Sequence, residues 1–539
     1  MPPLKALIRA LSVPSVFAAI ALRPSIADTP LAPAAPQQVF QPTWSSLEAN
    51  YQAPEWFRDA KFGIWAHWGP QAEPEQGDWY ARRMYVQGEK QYDYQVAHYG
   101  HPSKVGFKDI IHLWKAENFD PDKLLAFYRQ CGARYFMALA NHHDNFDNFN
   151  SKFQPWNAVN MGPHKDLIAL WEAAARKNGL RFGVSVHASR SWTWYEPAQG
   201  SDATGPLAGV PYDGRLTKAD GKGQWWEGYD SQDLYAQNHP LHAPPSAAYL
   251  DKFFKRIRQL VDDYQPDLLY FDDGVLPQHT VDEKDGLDLV AHFYNESQRL
   301  HGRNEAVVNT KGLNADQRRA LVYDIERGKA RTILPQPWQT DTCLGQWHYD
   351  RSIYQNHQYK TAPVVIRMLV DIVSRNGNLM LSVPVRADGT IDGDEIDTVQ
   401  GVGRWLTVNG EAIYATRPWK TYGEGPSLNE PEAASRFGGA LDVSPISYTG
   451  ADIRFTQSKD GNLLYAIALA VPSSGELLVK SLARGAAGVP PALDREIADV
   501  SLLGSPASLK WTRDQSGLRI KLPPVPPTTA AIAVRVRLQ

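Results

Sequence analysis

A carboxylate at the end of an apolar run is the first feature here that suggests chemistry. In Tyr264-Gln265-Pro266-Asp267-Leu268-Leu269-Tyr270-Phe271-Asp272-Asp273-Gly274 the chain delivers Asp272 from a hydrophobic stretch. A carboxylate so placed can attack the anomeric carbon of a sugar and form a covalent intermediate that water later releases. It can equally cap the next element, and the segment alone fits both readings. The triplet His142-His143-Asp144 has the residue types of a zinc site. Its spacing argues against one, because neighbours on an extended strand point to opposite faces and no helical histidine pair supports a shared ion. Hydrogen bonding to sugar hydroxyls suits these imidazoles better, since a neutral ring offers one donor and one acceptor. His67, in Phe62-Gly63-Ile64-Trp65-Ala66-His67-Trp68-Gly69, reads the same way, with a satisfied core histidine as the alternative. Asp78-Trp79-Tyr80 would present a carboxylate and an aromatic platform from a Gly- and Glu-rich loop. Glu326-Arg327-Gly328 and Trp338-Gln339-Thr340 lie in a second loop-rich stretch, where an ion pair or a surface cap explains Glu326 as readily as catalysis does. There is no Gly-rich phosphate loop, no Gly-x-Ser-x-Gly elbow and no dinucleotide fingerprint.

The elements that must position these residues alternate in type. Short apolar runs at 62–66, 135–140, 182–186, 268–271, 306–308 and 379–383 read as strands. Helical stretches at 121–131, 165–178, 248–264 and 362–374 lie between them. Strand-helix alternation with strands apolar on both faces predicts a covered parallel sheet. The runs end in His67-Trp68, His142-His143-Asp144, His187 and Asp272-Asp273. A (β/α)8 barrel builds its active site at the C-terminal ends of its strands, so that one fold gathers all four clusters into one pocket. Residues 196–247 are too long for a normal connection and read as a large loop on the same rim. After Trp419 the helical signals stop, and short runs at 451–455, 463–467, 476–479 and 530–534 predict an antiparallel β-sandwich.

The 539-residue length favours two or three domains. A formal net charge of −3, from 56 basic and 59 acidic side chains without blocks, gives no footprint for nucleic acid or an anionic membrane. The 17 tryptophans suit stacking on sugar faces or a large core. Lys5 and Arg9, the apolar run 10–22 and Ser25-Ile26-Ala27 form a signal peptide over 1–27, which predicts a periplasmic or secreted chain without membrane insertion. Residues 28–44, rich in Pro, Ala and Gln, read as a disordered lead-in. The catalytic barrel is expected over 45–420 and the sandwich over 421–539. Whether Cys131 and Cys343 pair is not legible in the sequence.

Six ordered segments carry a resemblance: FGIWAHWGP (62–70), NHHDNF with SKFQPWN (141–157), GLRFGVSVH (179–187), PDLLYFDDG (266–274), VDIVSRNGNLMLSVPVRADGTI (370–391) and WLTVNGEAIYATRPW (405–419). Together they resemble glycoside hydrolase family 29, from about Trp56 to Trp419 and more loosely through 452–456. The resemblance implies a retaining, exo-acting α-L-fucosidase that releases terminal L-fucose from fucosylated oligosaccharides or glycoconjugates. It implies a barrel followed by a β-sandwich, with no metal and no organic cofactor. It makes Asp272 the nucleophile and Tyr270 a pocket-lining aromatic. His67, His142 and His143 become contacts to fucose hydroxyls, Asp78 with Trp79 stands where relatives carry Glu beside an aromatic, and Arg327 matches a pocket arginine.

Two departures stand out. Where many relatives read Lys-Trp-Glu, with the glutamate as general acid/base, this chain has Pro337-Trp338-Gln339, and an amide has no proton to give. Glu326 is then the expected acid/base, with Asp350 and Asp341 in reserve. Ser185-Val186-His187 replaces a tyrosine-containing segment, which makes His187 a substitute substrate contact. Two other readings follow from these departures: a fucose-binding pseudoenzyme without an acid, and an α-L-galactosidase.

Overall fold

The computed structural model describes residues 39–429, 447–485 and 491–539. The expected signal peptide lies outside them, as does the lead-in up to residue 38. Phe40, in the remaining part of that lead-in, is buried against Tyr294, and its backbone N–H donates to Asn295 Oδ1.

Eight parallel strands close a barrel in sequence order: β1 (Phe62–Ala66), β2 (Tyr135–Asn141), β3 (Arg181–Val186), β4 (Leu268–Gly274), β5 (Val307–Lys311), β6 (Val322–Asp324), β7 (Trp338–Cys343) and β8 (Gly377–Ser382). Closure comes from β8 pairing with β1, Phe62 opposite Leu379. The expected strands are present, and so are the helices Pro121–Gln130, Leu167–Lys177, Ala247–Tyr264 and Ala362–Ser374. The stretch expected as loop around Trp338-Gln339-Thr340 is a strand, β7. Its sequence WQTDTC is polar yet fully buried, because its side chains find partners on other elements: Gln339 on Asp324, Asp341 on Tyr270 and Thr340 on the Ile325 carbonyl. β6 has only three residues, too few to show a period.

A long connection, 196–247, follows β3 and stands on the C-terminal rim. Buried carboxylates fasten it: Asp213 accepts from Tyr85 and Tyr235, and Asp202 from Tyr92, Tyr212 and His101. Such pairing lets backbone and side-chain polar groups sit in the interior without the cost of unmet hydrogen bonds.

The C-terminal strands form a five-stranded sheet, β13-β16-β11-β10-β9, and a three-stranded sheet, β12-β15-β14, all antiparallel. These are β9 (Arg417–Glu424), β10 (Ile453–Gln457), β11 (Leu463–Ala468), β12 (Glu476–Val479), β13 (Ile497–Leu502), β14 (Lys510–Asp514), β15 (Gly517–Lys521) and β16 (Ile532–Leu538). Leu477, Val479, Leu518 and Ile520 of the small sheet share one core with Phe455, Leu464, Val534 and Val536 of the large one, so the sheets pack face to face as a sandwich. The first of these strands begins at Arg417, slightly ahead of the expected boundary. Arg454 of β10 reaches the barrel helix Ala362–Ser374 and pairs with buried Asp371, which also meets Arg375.

Candidate active site

Side chains on a strand alternate between faces, so residues two apart share one face. That rule builds the floor and the mouth of the barrel in pairs: Tyr270 and Asp272 on β4, Asn309 and Lys311 on β5, Gln339 and Asp341 on β7, and Asp324 with Glu326 just past β6. Of the lower members, Tyr270, Asp324 and Gln339 bond across the barrel. Tyr135 donates to Gln339 (3.0 Å), Gln339 Nε2 to Asp324 (3.1 Å), and Tyr270 to Asp341 (2.9 Å). Burial first, and then the neighbouring Asp341 carboxyl, hold the Asp324 carboxyl well above the usual range. Gln339 is therefore a barrel-floor residue, well removed from any role as proton donor.

The upper members converge on Lys311. Its Nζ is 2.5 Å from Asp272 Oδ1 and 2.5 Å from Glu326 Oε2, so the two carboxyl oxygens lie within twice that distance of each other. The register between β4 and β5 shifts between Tyr270 and Gly274, setting Gly274 opposite Lys311 and turning Asp272 toward the lysine. The two acids are shifted in opposite directions. Burial favours the neutral form of Asp272, but Lys311, His143 and His187 outweigh it and hold the carboxyl well below its ordinary range. Glu326 is pushed up, by burial first and by the charges of Asp341 and Asp272, against the opposing pull of Lys311. Lys311 itself is raised, since the surrounding carboxylates overcome its burial.

Imidazoles form the remaining wall. His143 Nε2 and His187 Nδ1 lie 3.4 and 3.3 Å from Asp272 Oδ2, and His143 Nδ1 donates to the His187 carbonyl at 2.7 Å. Burial lowers His187 to about 4 and takes His67 and His142 well below their ordinary value, so these three rings are neutral near pH 7. The expectation that His142 and His143 point apart is corrected. β2 ends at Asn141 and the chain turns, leaving the two rings 4.4 Å apart in the same pocket. Two trios, His67–His142–His348 and His142–His143–His187, bring ring nitrogens within 4.8 Å of one another. Their wiring favours hydroxyls over a cation. Gln71 Nε2 donates to both Asp144 Oδ2 and His142 Nδ1 (2.9 Å each), so the proton of His142 sits on Nε2 and faces the pocket. A metal-bound histidine needs the reverse arrangement.

The other expected residues fall as follows. Tyr270 is fully buried beneath the pocket, its ring against Trp65 and His187. Trp79 is 41% exposed at the mouth, in the left-handed conformation (φ 65°), with its ring near His143 and Trp194. Asp78 accepts from the backbone N–H groups of His348 (2.7 Å) and Trp347 (3.3 Å), fastening that loop to the rim. Arg327 is also left-handed (φ 49°), and its N–H donates to the Asp341 carbonyl at 2.8 Å. Asp350 caps the helix Arg351–Gln355, its Oδ1 accepting from the Ser352 N–H. Asp273 accepts from Ser189 at 2.5 Å and faces Arg190, so it is the tethering member of the Asp272-Asp273 pair. Cys131 and Cys343 are separate buried thiols and do not bridge.

Sequence reasoning overlooked Lys311, Trp347 and His348. Lys311 closes β5 two residues after Asn309, and only the pairing of β4 with β5 brings it to Asp272. Trp347 and His348 sit in a loop without a period, and only the fold brings them to β1.

A closed barrel with a carboxyl pair at its C-terminal mouth is an arrangement that suits a glycoside hydrolase, and comparison with known proteins identifies the class. Residues 29–411 match the α-L-fucosidase family model and 448–539 match the α-L-fucosidase C-terminal domain, so the chain belongs to the α-L-fucosidase family. Human plasma α-L-fucosidase is 28% identical over 494 residues, covering 90% of this chain and 88% of that one. Human tissue α-L-fucosidase is 26% identical over 502 residues, covering 92% and 90%. Among solved structures, a Thermotoga maritima α-L-fucosynthase superposes with a TM-score of 0.68 at 23% identity, over 93% of this chain and all of that one. A Bacteroides thetaiotaomicron family 29 α-L-fucosidase, trapped as a covalent intermediate, gives 0.61 at 16% identity, over 91% and 97%. At those identities the superpositions speak for the fold. No helix among the described residues is long and apolar enough to cross a membrane.

Proposed function

We propose that this chain is a secreted, exo-acting, retaining α-L-fucosidase that hydrolyses terminal α-L-fucose from glycans, with Asp272 as nucleophile and Glu326 as general acid/base. The observation that carries the reading is the carboxyl pair bridged by Lys311. Retaining enzymes hold their two carboxyl groups about 5 to 5.5 Å apart, inverting ones about 6.5 to 9.5 Å, and the shared lysine keeps this pair within the shorter spacing. The directions of the two shifts match the roles. Asp272, ionised, attacks the anomeric carbon while Glu326, neutral, protonates the departing oxygen. Glu326, now ionised, then takes a proton from the water that releases fucose from the Asp272 ester. The direction of the Glu326 shift also weighs against a pseudoenzyme, since a carboxyl that holds its proton more tightly than usual can serve where Gln339 cannot. His67, His142 and His143 bind the sugar, and Trp79 lies where the leaving group would exit.

The test is hydrolysis of aryl α-L-fucosides by Asp272→Ala and Glu326→Ala. The first variant is expected to lose nearly all turnover and to regain some with azide, which occupies the space of the missing carboxylate. The second is expected to fail mainly on substrates with poor leaving groups, because a good one departs without a proton. Equal loss of activity by Glu326→Ala on both substrate types contradicts the assignment.

A further inference from the structure

His348 is 1% exposed, and neither ring nitrogen has a hydrogen-bond partner; its Nδ1 is 3.6 Å from Asp78 Oδ1, beyond a hydrogen bond. Both nitrogens of His67, 3% exposed, are likewise unpartnered. The His348 ring lies edge-on to His67 and His142, centroids 4.7 Å from each, and Trp347 covers Trp65 and His67 beside it. The backbone of His348 is fixed by Asp78, so its ring is set in place before any ligand arrives. A buried polar group left unpaired is costly, and the rings of His67 and His348 bear that cost until something fills the space.

We propose that His348 completes a three-imidazole cup with His67 and His142 that holds a single ring hydroxyl of the sugar, making His348 a specificity determinant of this site. The donor and acceptor count closes on one hydroxyl. His142 offers only an N–H to the cup, because its Nδ1 already accepts from Gln71. Of His67 and His348, one presents a second N–H and the other a bare nitrogen. A hydroxyl accepts two hydrogen bonds and donates one, so it satisfies all three rings at once. A divalent cation needs three lone pairs where the cup offers at most two. A methyl group satisfies none.

The inference rests on the fucosidase reading, and the experiment separates the two. His348→Ala and His348→Gln are assayed with 4-nitrophenyl α-L-fucoside and its 2-, 3- and 4-deoxy analogues, and thermal unfolding confirms that each variant is folded. On the parent substrate His348→Ala is expected to lower kcat/KM by about 10-fold, the equivalent of 1.4 kcal/mol, mainly through KM, with partial recovery in His348→Gln. For one deoxy analogue, the one lacking the cup hydroxyl, the same substitution changes kcat/KM less than about twofold. Equal losses on all four substrates, or none, overturn the cup. So does zinc inhibition of the wild type that competes with the sugar and disappears in His348→Ala, since it would show a cation site. If His348→Ala does not fold, the same comparison of substrates with His348→Gln decides. A wild-type protein inert on every aryl α-L-fucoside contradicts the function itself, whereas an active one with an indifferent His348 contradicts only the cup.

Discussion

Replacing Lys311 by methionine keeps the length of the side chain and removes the one ammonium bound to both Asp272 and Glu326. With charge centres about 4 Å apart and an effective dielectric constant of about 20, each attraction amounts to about 4 kcal/mol. At 1.36 kcal/mol per pKa unit this is a ceiling of about 3 units. Lys311 and both its partners are about a fifth exposed, so water screens part of it, and a shift of about 1 to 2 units is expected. The sign is the same for both acids. Lys311 lowers Asp272 and opposes the upward shift of Glu326, so its loss raises both. The assay is the pH dependence of kcat/KM, whose limbs report ionisations of the free enzyme. The acid limb, set by Asp272, and the basic limb, set by Glu326, should both move to higher pH, displacing the bell rather than narrowing it. The shape of the profile does not depend on how much of the variant is folded. An acid limb that stays where it is, or moves down, refutes the reasoning.

Three further outcomes follow. Asp341→Asn removes a negative charge that helps raise Glu326, so the basic limb should move down while the Tyr270 hydrogen bond can persist to the amide; an upward movement contradicts the electrostatics. His187 is lowered to about 4 in the folded protein from an ordinary 6.5, so the unfolded chain binds its proton first. Its contribution to stability is complete above about pH 6.5 and is lost toward pH 4 at about 1.4 kcal/mol per pH unit; urea unfolding of His187→Asn at pH 7 and pH 5 should show a shallower fall than wild type. Arg454→Leu leaves buried Asp371 with one strong partner fewer between the barrel and the sandwich, at an expected cost of about 3 kcal/mol, read as a lower denaturation midpoint with unchanged kcat.

The barrel was legible because six of its strands are apolar runs, the signature of a parallel sheet covered on both faces. β7 escaped because its buried residues are polar and partnered across the barrel, so hydropathy alone makes Gln339 and Asp341 look exposed. In the sandwich, the pattern of β14, KWTRD, is largely exposed and carries little hydrophobic signal. Asp272 was legible as a pocket carboxylate because it lies at a strand end. Its lysine partner was not, since Lys311 closes a five-residue strand and acquires its meaning only when β4 and β5 pair. Asp78 changed character for a similar reason: its two oxygens are taken by backbone amides 269 and 270 residues away, a relation that no local spacing reveals.

The central claim is that Asp272 becomes covalently bonded to the sugar. Brief incubation with 2-deoxy-2-fluoro-α-L-fucosyl fluoride, followed by peptic digestion and mass spectrometry, tests it most directly, because the fluorine slows release of the ester. One fluorofucosyl adduct is expected on the peptide carrying Leu268–Gly274, localised to Asp272 and absent from Asp272→Ala. An adduct on Glu326, or turnover of the reagent without any adduct, contradicts it.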